Sequence, residues 1–341
     1  MEHLVSVLVL NYRQAGYVPH CLDSLHRQTY PWLEIIFVDN HSQDGAVDLV
    51  QLNYPAIHVI ANPENQFYSR AHNQAIRAAH GAYVMPMNVD IRLTENYIAE
   101  MVKAIELRPE IGMVSGKLLQ MDRSLRPLDP PVIDSTGLWF TREMRHFDRG
   151  SHEIDRGQYE KIEYIFGPSG AAPLYRRAML EDIAFQGEYF DEDFVIYRED
   201  ADLAWRAQLL GWKAIYTPFA IGYHVRSVRP TDDRKTISAL VNMHSVKNRF
   251  LMRLKNQTWG SLAATFLPAL WRDFLVIGYV LLVEHQSLPA FVQFGRLFPK
   301  MLRKRRAHLE RRRVGDSYIA RWFSEQPASI PWTAQEVQSN T

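Results

Sequence analysis

The sequence predicts an α/β protein with a doubly wound, mostly parallel central sheet and a helical extension at its C-terminal end. Three observations indicate this architecture. Short apolar runs alternate with helical periodicity over the first 120 residues, which is typical of a parallel sheet covered on both faces. The 341-residue chain is 47% hydrophobic, which is enough to bury one large core. After about residue 234 the chain becomes helical and basic.

The first part of the chain predicts five strands and the helices between them. The strands are continuous β-rich apolar runs at 4–10, 33–39, 56–62, 82–90 and 111–119. The helices have apolar residues three and four positions apart, at 17–28, 43–52, 69–81 and 95–106. Gly81 ends the third of these helices. Sheets of this kind bind ligands beyond the carboxyl ends of their strands.

The second part of the chain is less regular. Residues 120–165 contain prolines at 127, 130 and 131, and we expect a long excursion or hairpin over the ligand edge of the sheet. A Gly-rich loop leads into a helix at 167–180, and an acidic stretch leads into a helix at 199–210. The segments "KAIYTP" and "AIGYHV" are predicted to form two short strands.

Composition excludes several classes of protein. The 39 basic and 38 acidic residues nearly balance, which argues against a general nucleic-acid binder. Cys21 is the sole cysteine, so an internal disulfide is excluded and a cysteine-based zinc site is disfavoured. The apolar run near the N-terminus lacks a cationic start and a cleavage site, so we interpret it as a strand rather than a signal peptide. A reducing, cytoplasmic location fits these features.

Polar side chains follow four of the predicted strands at the point where each strand ends. They are Asn11 and Tyr12, then Asp39, Asn40, Ser42 and Asp44, then Asn65, and finally Asn88 and Asp90. Any one of them can be a turn or cap residue, because Asn, Asp and Ser favour such positions. Their recurrence after four successive strands favours a ligand cleft at this edge.

The motifs along the chain match a known family. The segments are, in order, "VSVLVLNYR", "LEIIFVDNHSQDG", "NVD", "FDEDFVIYREDADLAWR" and "GYHVRS". They resemble the motifs of family 2 inverting glycosyltransferases of the GT-A fold, and within that family the bacterial rhamnosyltransferase-like branch. The resemblance implies a GT-A domain at 1–256, with a Rossmann-like nucleotide-binding half at 1–120 and an acceptor and catalytic half at 121–256. The helical, basic extension then occupies 257–341.

The resemblance implies a pyrimidine nucleotide pocket beside the first two strands. Asp39 would accept a hydrogen bond from the N3–H of the base, while Tyr12 would stack on the ring. The other expected nucleotide-sugar contacts of this kind are Asn11, Asn40, Ser42, Asn65, Asn73, Asn88 and Arg249. Phe67 and Ala75 stand where the family usually has glycines, so the loop that carries Asn65 is bulkier here. Lys247 and Arg249 can equally belong to the solvated face of an amphipathic helix.

A divalent cation is the second implied ligand. Asp90 closes the "NVD" motif and His224 matches a family position that supplies a further ligand, so we expect Mg²⁺ or Mn²⁺ on these two residues. Asn88 replaces the first carboxylate of many relatives, which indicates a weaker or more substrate-dependent metal site. A lone histidine on a strand is otherwise commonly a packed, hydrogen-bonded side chain.

Carboxylates crowd the approach to the helix at 199–210. They are Asp191, Glu192, Asp193, Glu199, Asp200 and Asp202. Acids at a helix N-terminus are stabilised by its exposed N–H groups, and Asp202 can pair with Arg206 one turn on. Repulsion between clustered carboxylates also raises the pKa of at least one of them. By family resemblance Asp200 is the general base, and Glu199 is a supporting acid or acceptor contact.

The tail supports two interpretations. Residues 258–298 are aromatic and aliphatic, although Pro268, Arg272, Asp273 and Glu284 argue against a spanning helix. Residues 299–313 then carry eight lysines and arginines in fifteen positions. Together, 258–313 predict peripheral contact with the anionic inner face of the cell membrane. The alternative is a helix packed on the catalytic domain, or a homodimer interface, with a solvated basic face.

The sequence therefore predicts an inverting glycosyltransferase that uses a pyrimidine nucleotide-sugar. The preferred donor is dTDP-L-rhamnose, and the expected acceptor is a growing bacterial surface glycan or a lipid-linked glycan. One alternative is a transferase of the same class that uses a UDP-hexose. The other is a catalytically inactive relative that binds a nucleotide-sugar or scaffolds a membrane assembly. Asn88 favours the inactive relative, whereas the intact Glu199–Asp200 pair argues against it.

Overall fold

A computed structural model describes residues 3–226, 238–324 and the short strand at 330–331. Within these residues, eleven strands form one mixed sheet and two more form a separate hairpin. The strands are β1 (Val5–Asn11), β2 (Leu33–Asp39), β3 (His58–Ala61), β4 (Tyr83–Asn88), β5 (Ile91–Leu93), β6 (Ile111–Gln120), β7 (Ile133–Ser135), β8 (Leu138–Phe140), β9 (His146–Asp148), β10 (Glu163–Ile165), β11 (Leu174–Arg176), β12 (Lys213–His224) and β13 (Ile330–Pro331). The helices are α1 (Val18–His26), α2 (Ala46–Asn53), α3 (Phe67–Ala78), α4 (Tyr97–Ile105), α5 (Arg177–Ile183), α6 (Glu199–Leu209), α7 (Ala239–Asn256), α8 (Trp259–Leu282), α9 (Pro289–Glu310) and α10 (Asp316–Ala320).

The first four strands of the sheet are parallel, as predicted. Strands β3, β2, β1 and β4 are adjacent and parallel, and helices connect them. Asn11 pairs in register with Asp39, and Leu10 pairs with Asn88. The polar residues that end these strands therefore lie at one level of the sheet, because parallel strands deliver their carboxyl ends to the same edge.

The other half of the sheet departs from a purely parallel order. Strand β11 runs antiparallel between β4 and β6, so these two predicted neighbours do not touch. The two short strands predicted after residue 212 are one strand, β12. Its pairing with β6 shifts between Tyr216 and Ile221, around Pro218, which has no N–H to donate to the ladder. The proline interrupts the pairing without ending the strand.

The predicted excursion at 120–165 forms strand β7 and the hairpin β8–β9. Residues 145–148 of this hairpin line the cleft at the carboxyl edge of the sheet. Two apolar clusters fill the space on the two faces of the sheet, one under α1 and α4 and the other under α3 and α6.

The C-terminal helices pack on the catalytic domain through α7 and α9. Seven of the eight cations in the basic run at 299–313 bond to protein groups, and two of these, Arg306 and Arg312, pair with carboxylates four residues further along the extension. Arg303 is exposed and forms no ion pair with the described residues. Five of the eight cations are nevertheless exposed, so the basic face predicted to meet an anionic membrane is mostly bonded to protein groups but is not internal.

Helix α8 is the exposed element of this extension. It continues through Pro268 for 24 residues, has a mean hydropathy of 1.5, and only 17% of its most apolar window is buried. By length and composition alone it can cross a membrane, which differs from our expectation for this segment. The interruptions that argued against a spanning helix reduce its hydropathy less than its many Leu, Phe and Val residues raise it.

Candidate active site

A large cleft of about 1230 Å³ lies at the carboxyl edge of the sheet. Four parts of the chain line it: the ends of β1, β2 and β4, the hairpin residues 145–148, the loops at 169–171 and 196–200, and the facing sides of α7 and α8. Of the predicted site residues, the cleft is lined by Tyr12, Asn40, Asn65, Asn88, Asp90, Glu199, Asp200, His224 and Arg249. Asn11, Asp39, Ser42 and Asn73 lie behind this lining.

Asn11, Asp39 and Ser42 form a buried hydrogen-bonded group at the ends of β1 and β2. The Nδ2 of Asn11 donates to Oδ1 of Asp39 and to Oγ of Ser42, both at 2.9 Å. The backbone N–H of Ser42 donates to Oδ2 of Asp39 at 2.9 Å. Asp39 keeps free lone pairs, since a carboxylate accepts about four hydrogen bonds. Tyr12 stands 41% exposed next to this group, as a ring that stacks on a base must.

The Asn65 loop is organised by Asn40. Nδ2 of Asn40 donates to Oδ1 of Asn65 at 2.8 Å, and Oδ1 of Asn40 accepts from the backbone N–H of Gln66 at 2.8 Å. Phe67 has a φ of 55°, the left-handed conformation that glycine adopts freely. The backbone at this position thus has the conformation that the glycine of the family pattern favours. The side chain of Phe67 adds bulk to the cleft wall.

Asn73 has a structural role that corrects our expectation. Its side chain is fully buried, donates to the carbonyl of Phe190 at 2.8 Å, and accepts from the N–H of the same residue at 2.8 Å. All of its recorded partners lie at 189–192. The amide fixes the chain before α6 and is not turned toward a nucleotide-sugar.

Arg249 is likewise committed to the protein. Its guanidinium bonds to Asp273 at 2.8 Å and to the carbonyl oxygens of Met144 and Glu143 at 2.9 and 2.7 Å. Lys247 donates to the carbonyl of Asp193 at 2.6 Å. The diphosphate contact expected of Arg249 is therefore not supported, because its donors tie α7 to α8 and to the β8–β9 turn.

Asp90 and His224 lie together at the floor of the cleft. Oδ1 of Asp90 is buried and lies 3.4 Å from Nε2 of His224, which is long for a hydrogen bond. Nδ1 of His224 lies 2.8 Å from Oδ2 of the buried Asp134. Burial alone would lower the pKa of His224, but the charges of Asp134 and Asp90 raise it to about 10.

This arrangement fits a divalent cation. A carboxylate on one ring nitrogen fixes a histidine so that the other nitrogen faces a metal, and Asp134 occupies that supporting position. Oδ1 of Asp90, which has no hydrogen-bond partner among the described residues, would supply a hard oxygen ligand. Sequence reasoning missed Asp134, because it lies in the irregular segment at 120–165 and no local pattern distinguishes it from a loop carboxylate.

The carboxylates before and within α6 separate into two groups. The first group is neutralised: Nζ of Lys304 bonds to Glu188, Asp191 and Asp193 at 2.9, 2.6 and 2.9 Å. Lys255 bonds to Asp191 at 2.5 Å and to Asp202 at 2.7 Å. Burial opposes ionisation, but the two ammonium groups hold the pKa of Asp191 well below its usual range.

Glu188, Asp191 and Asp193 also lie close enough together to share a metal ion. The ammonium group of Lys304 already bonds to all three carboxylates, so the lysine supplies the positive charge that such a cluster requires. We therefore assign this cluster to the packing of α9 on the catalytic domain. Asp90 and His224 are the pair that we expect to hold a cation.

Glu199 and Asp200 form the second group, and among the described residues no Lys or Arg pairs with either. Oδ2 of Asp200 accepts from the N–H of Gly170 at 3.0 Å, and Oδ1 accepts from the N–H of Ala201 at 2.7 Å. Burial and the charge of Asp148 raise the pKa of Asp200 to about 6. Burial and the charge of Asp200 raise the pKa of Glu199 well above its usual range, and its Oε2 is buried without a partner.

The loop that presents this pair is strained and clamped. Val195, Tyr197 and Arg198 have φ values of 68°, 64° and 72°, which non-glycine residues rarely adopt. Nδ2 of Asn248 on α7 donates to the carbonyls of Phe194, Ile196 and Tyr197 at 2.8, 2.9 and 2.8 Å. Sequence reasoning missed Asn248, because its partners are about fifty residues away in the chain.

The comparisons with known proteins agree with this geometry. The family model described as "Glycosyl transferase family 2" matches residues 6–183, slightly more than half of the chain. The chain is 24% identical over 251 residues to the N-acetylglucosaminyl-diphospho-decaprenol L-rhamnosyltransferase of Mycobacterium tuberculosis, which spans 66% of this chain and 76% of that protein.

Solved structures give the same fold at lower identity. A mannosyltransferase from Pyrobaculum calidifontis, in complex with GDP-Man and Mn²⁺, has a TM-score of 0.52 at 19% identity, and the match covers 94% of this chain and 86% of that chain. S. aureus TarS 1-349 in complex with UDP-GlcNAc has a TM-score of 0.53 at 17% identity, covering 90% and 89%. These likenesses confirm the predicted GT-A fold with its helical C-terminal region.

Proposed function

This chain belongs to glycosyl transferase family 2 and is a glycosyltransferase, and from that premise we propose that it transfers a sugar from a pyrimidine nucleotide-sugar to an acceptor hydroxyl with inversion. The observation that carries the proposal is the position of Asp200. It is the carboxylate of the crowded segment that keeps a pKa near 6, and it faces the same cleft as Asp90 and His224. A base and a cation site on one cleft are what a single displacement requires.

Each group has a distinct task in the proposed reaction. Asp200 takes the proton from the acceptor hydroxyl while the oxygen of that hydroxyl attacks the anomeric carbon. Its two backbone N–H partners keep the carboxylate oriented between turnovers. Glu199, which favours its protonated form, contacts the acceptor or donates a hydrogen bond to it. Asp90 and His224 would hold a divalent cation, Mg²⁺ or Mn²⁺, which when bound neutralises the charge of the diphosphate leaving group.

The donor pocket is proposed on the opposite side of the cleft from α7. Asp39, supported by Asn11 and Ser42, accepts from the N3–H of the pyrimidine, and Tyr12 stacks on the ring. Asn65 and Asn88 line the path from the base toward Asp90. Our preferred donor is dTDP-L-rhamnose, and the name of the mycobacterial relative, at 24% identity, supports the rhamnose part of that choice. The acceptor is proposed to be a bacterial surface glycan or its lipid-linked precursor.

A panel of donors tests this proposal. The protein is incubated with dTDP-sugars and UDP-hexoses in the presence of Mg²⁺ or Mn²⁺, and thermal unfolding is recorded. We expect one donor to raise the Tm, and we expect EDTA and the Asp90→Ala substitution each to abolish that rise. A rise in Tm with UDP-hexoses alone would contradict the rhamnose donor and favour a UDP-hexose. No response to any donor would favour the inactive scaffold.

A further inference from the structure

The cleft extends past Asp200 to a second, cationic region. Asp148 at the end of β9 acts on Asp200 through its charge, and Arg145 lies at the other end of the same short segment. Burial lowers the pKa of Arg145, and the positive charge of Arg272 on α8 lowers it further. Beyond the proposed base, the cleft is therefore lined by two arginines from different elements, Arg145 before β9 and Arg272 on α8.

Within the part of the chain that the structure describes, these two arginines lack a bonded carboxylate, although the charge of Glu143 partly offsets that of Arg145. Both are half-buried, and within the described residues neither forms an ion pair with a carboxylate. Asp273, the neighbour of Arg272, is already bonded to Arg249 and Arg253. Arg145 lies over the ring of Phe147, with 4.5 Å from its Cζ to the ring centroid. Two partly desolvated cations that face each other repel, and an anion between them would relieve that repulsion.

The cleft wall beyond the arginines is apolar. Leu275, Val276 and Tyr279 follow Arg272 at intervals of three, four and seven residues, so they share its face of α8. Leu240 and Val241 of α7 stand in the same wall. This wall joins the exposed apolar surface of α8, so the cleft offers an uninterrupted path from charged groups to hydrocarbon-compatible surface.

We propose that the acceptor is a lipid-linked saccharide joined to its hydrocarbon chain by a phosphate or diphosphate. Its sugar hydroxyl lies at Asp200, its phosphate group lies between Arg145 and Arg272, and its hydrocarbon chain follows Leu275 and the rest of the α8 wall. This inference rests on the proposed function, because it assigns the acceptor of the same site. The order of groups in the cleft matches the order of groups in such a molecule: sugar, anion, chain.

The test uses farnesyl diphosphate, which carries the anion and the chain without a sugar. Its Kd is measured by isothermal titration calorimetry with dTDP and Mn²⁺ held at saturation, so that the donor site is filled. Inorganic diphosphate and farnesol are titrated in parallel. We expect farnesyl diphosphate to bind about tenfold or more tightly than either part alone, because both the charged and the apolar contacts are made.

Variants locate the site. Arg145→Gln and Arg272→Gln are each expected to raise the Kd of farnesyl diphosphate about tenfold, the usual effect of losing a charge-assisted hydrogen bond. Leu275→Asp should weaken farnesyl diphosphate but leave inorganic diphosphate unchanged, and its side chain is exposed enough for the fold to tolerate the change. Arg303→Gln is the matched control, since Arg303 is an exposed arginine outside the cleft. The Kd of dTDP is expected to stay the same in all four variants.

Three results would overturn the inference. The first is full displacement of farnesyl diphosphate by dTDP, which would assign the arginines to the donor. The second is equal affinity for inorganic and farnesyl diphosphate, which would exclude a lipid chain. The third is an unchanged Kd in both arginine variants. The proposed function is tested by a different measurement, the binding of a pyrimidine nucleotide. A protein that binds farnesyl diphosphate but no pyrimidine nucleotide would support this acceptor site and contradict the proposed donor.

Discussion

At the scale of single residues, the neighbouring carboxylates of α6 differ because their surroundings differ. Asp202 is buried and bonds to Lys255, Arg206 and Asn256, so its carboxylate serves the packing of α6 and α7. Glu199 and Asp200 lack such cations among the described residues, and burial raises the pKa of both. The same residue type thus serves packing at Asp202 and is proposed to serve proton transfer at Asp200.

The pKa of Asp200 predicts the pH dependence of transfer. A general base must be deprotonated, so kcat/KM should fall about tenfold per pH unit below the free-enzyme pKa near 6 and level off above it. Asp200→Asn should lower kcat by about 10²- to 10⁴-fold and remove this slope, while the donor Kd stays unchanged. Asp48→Asn, an exposed change on α2, is the control. A wild-type profile that is flat to pH 5, or an active Asp200→Asn variant, would contradict the assignment.

At the scale of elements, buried lysines hold the C-terminal helices to the catalytic domain. Lys304 of α9 and Lys255 of α7 are both almost fully buried and share Asp191. Their positive charges balance the carboxylates that precede α6, so helix packing and the position of the catalytic loop depend on the same contacts. The domain boundary expected after residue 256 stays a prediction. Removal of α9 would take away Lys304 and leave Asp191 with Lys255 as its remaining cation.

Substitution of Lys304 tests this connection. Lys304→Met should reduce the free energy of unfolding by about 3–5 kcal/mol, because it leaves buried carboxylates without their counter-charge. Lys300→Met is the matched control: Lys300 bonds to Asp193 from a more exposed position, and its loss should cost about 1 kcal/mol or less. Both values come from urea unfolding. Equal, small losses for the two variants would show that the buried contacts do not hold α9 in place.

The exposed side of α8 predicts peripheral membrane contact. Leu267, Trp271 and Phe274 lie on one face of the helix and are 74%, 61% and 66% exposed. Because seven of the eight cations at 299–313 already bond to protein groups, we expect this contact to depend on apolar insertion more than on anionic lipid.

Vesicle flotation measures that contact. The double substitution Trp271→Ser and Phe274→Ser should reduce the vesicle-bound fraction severalfold, since each buried aromatic contributes about 1.5–3 kcal/mol to transfer from water. Leu52→Ser removes an equally exposed apolar residue from α2 and should leave flotation unchanged. An unchanged bound fraction in the double variant would instead assign the α8 face to a protein partner, such as a second copy of the chain.

At the scale of the whole molecule, the sequence predicts what depends on local pattern. The parallel strands β1 to β4 and their helices follow from periodicity, and the polar group around Asp39 and Asp90 follows from their position at strand ends. The sequence does not reveal which carboxylates are neutralised, because Lys255 and Lys304 come from about 60 and 110 residues away. For the same reason Asp134, Asn248 and the antiparallel insertion of β11 could not be predicted.

The central claim is that one cleft combines a cation site on Asp90 and His224 with a base on Asp200. The most direct measurement is the rate of nucleoside diphosphate release from the donor that raises the Tm, with Mn²⁺ and without acceptor. We predict slow release in the wild-type protein, loss of release with EDTA or Asp90→Ala, and retained donor binding in Asp200→Asn. Release that persists in EDTA and in Asp90→Ala would contradict the cation site and, with it, this account of the cleft.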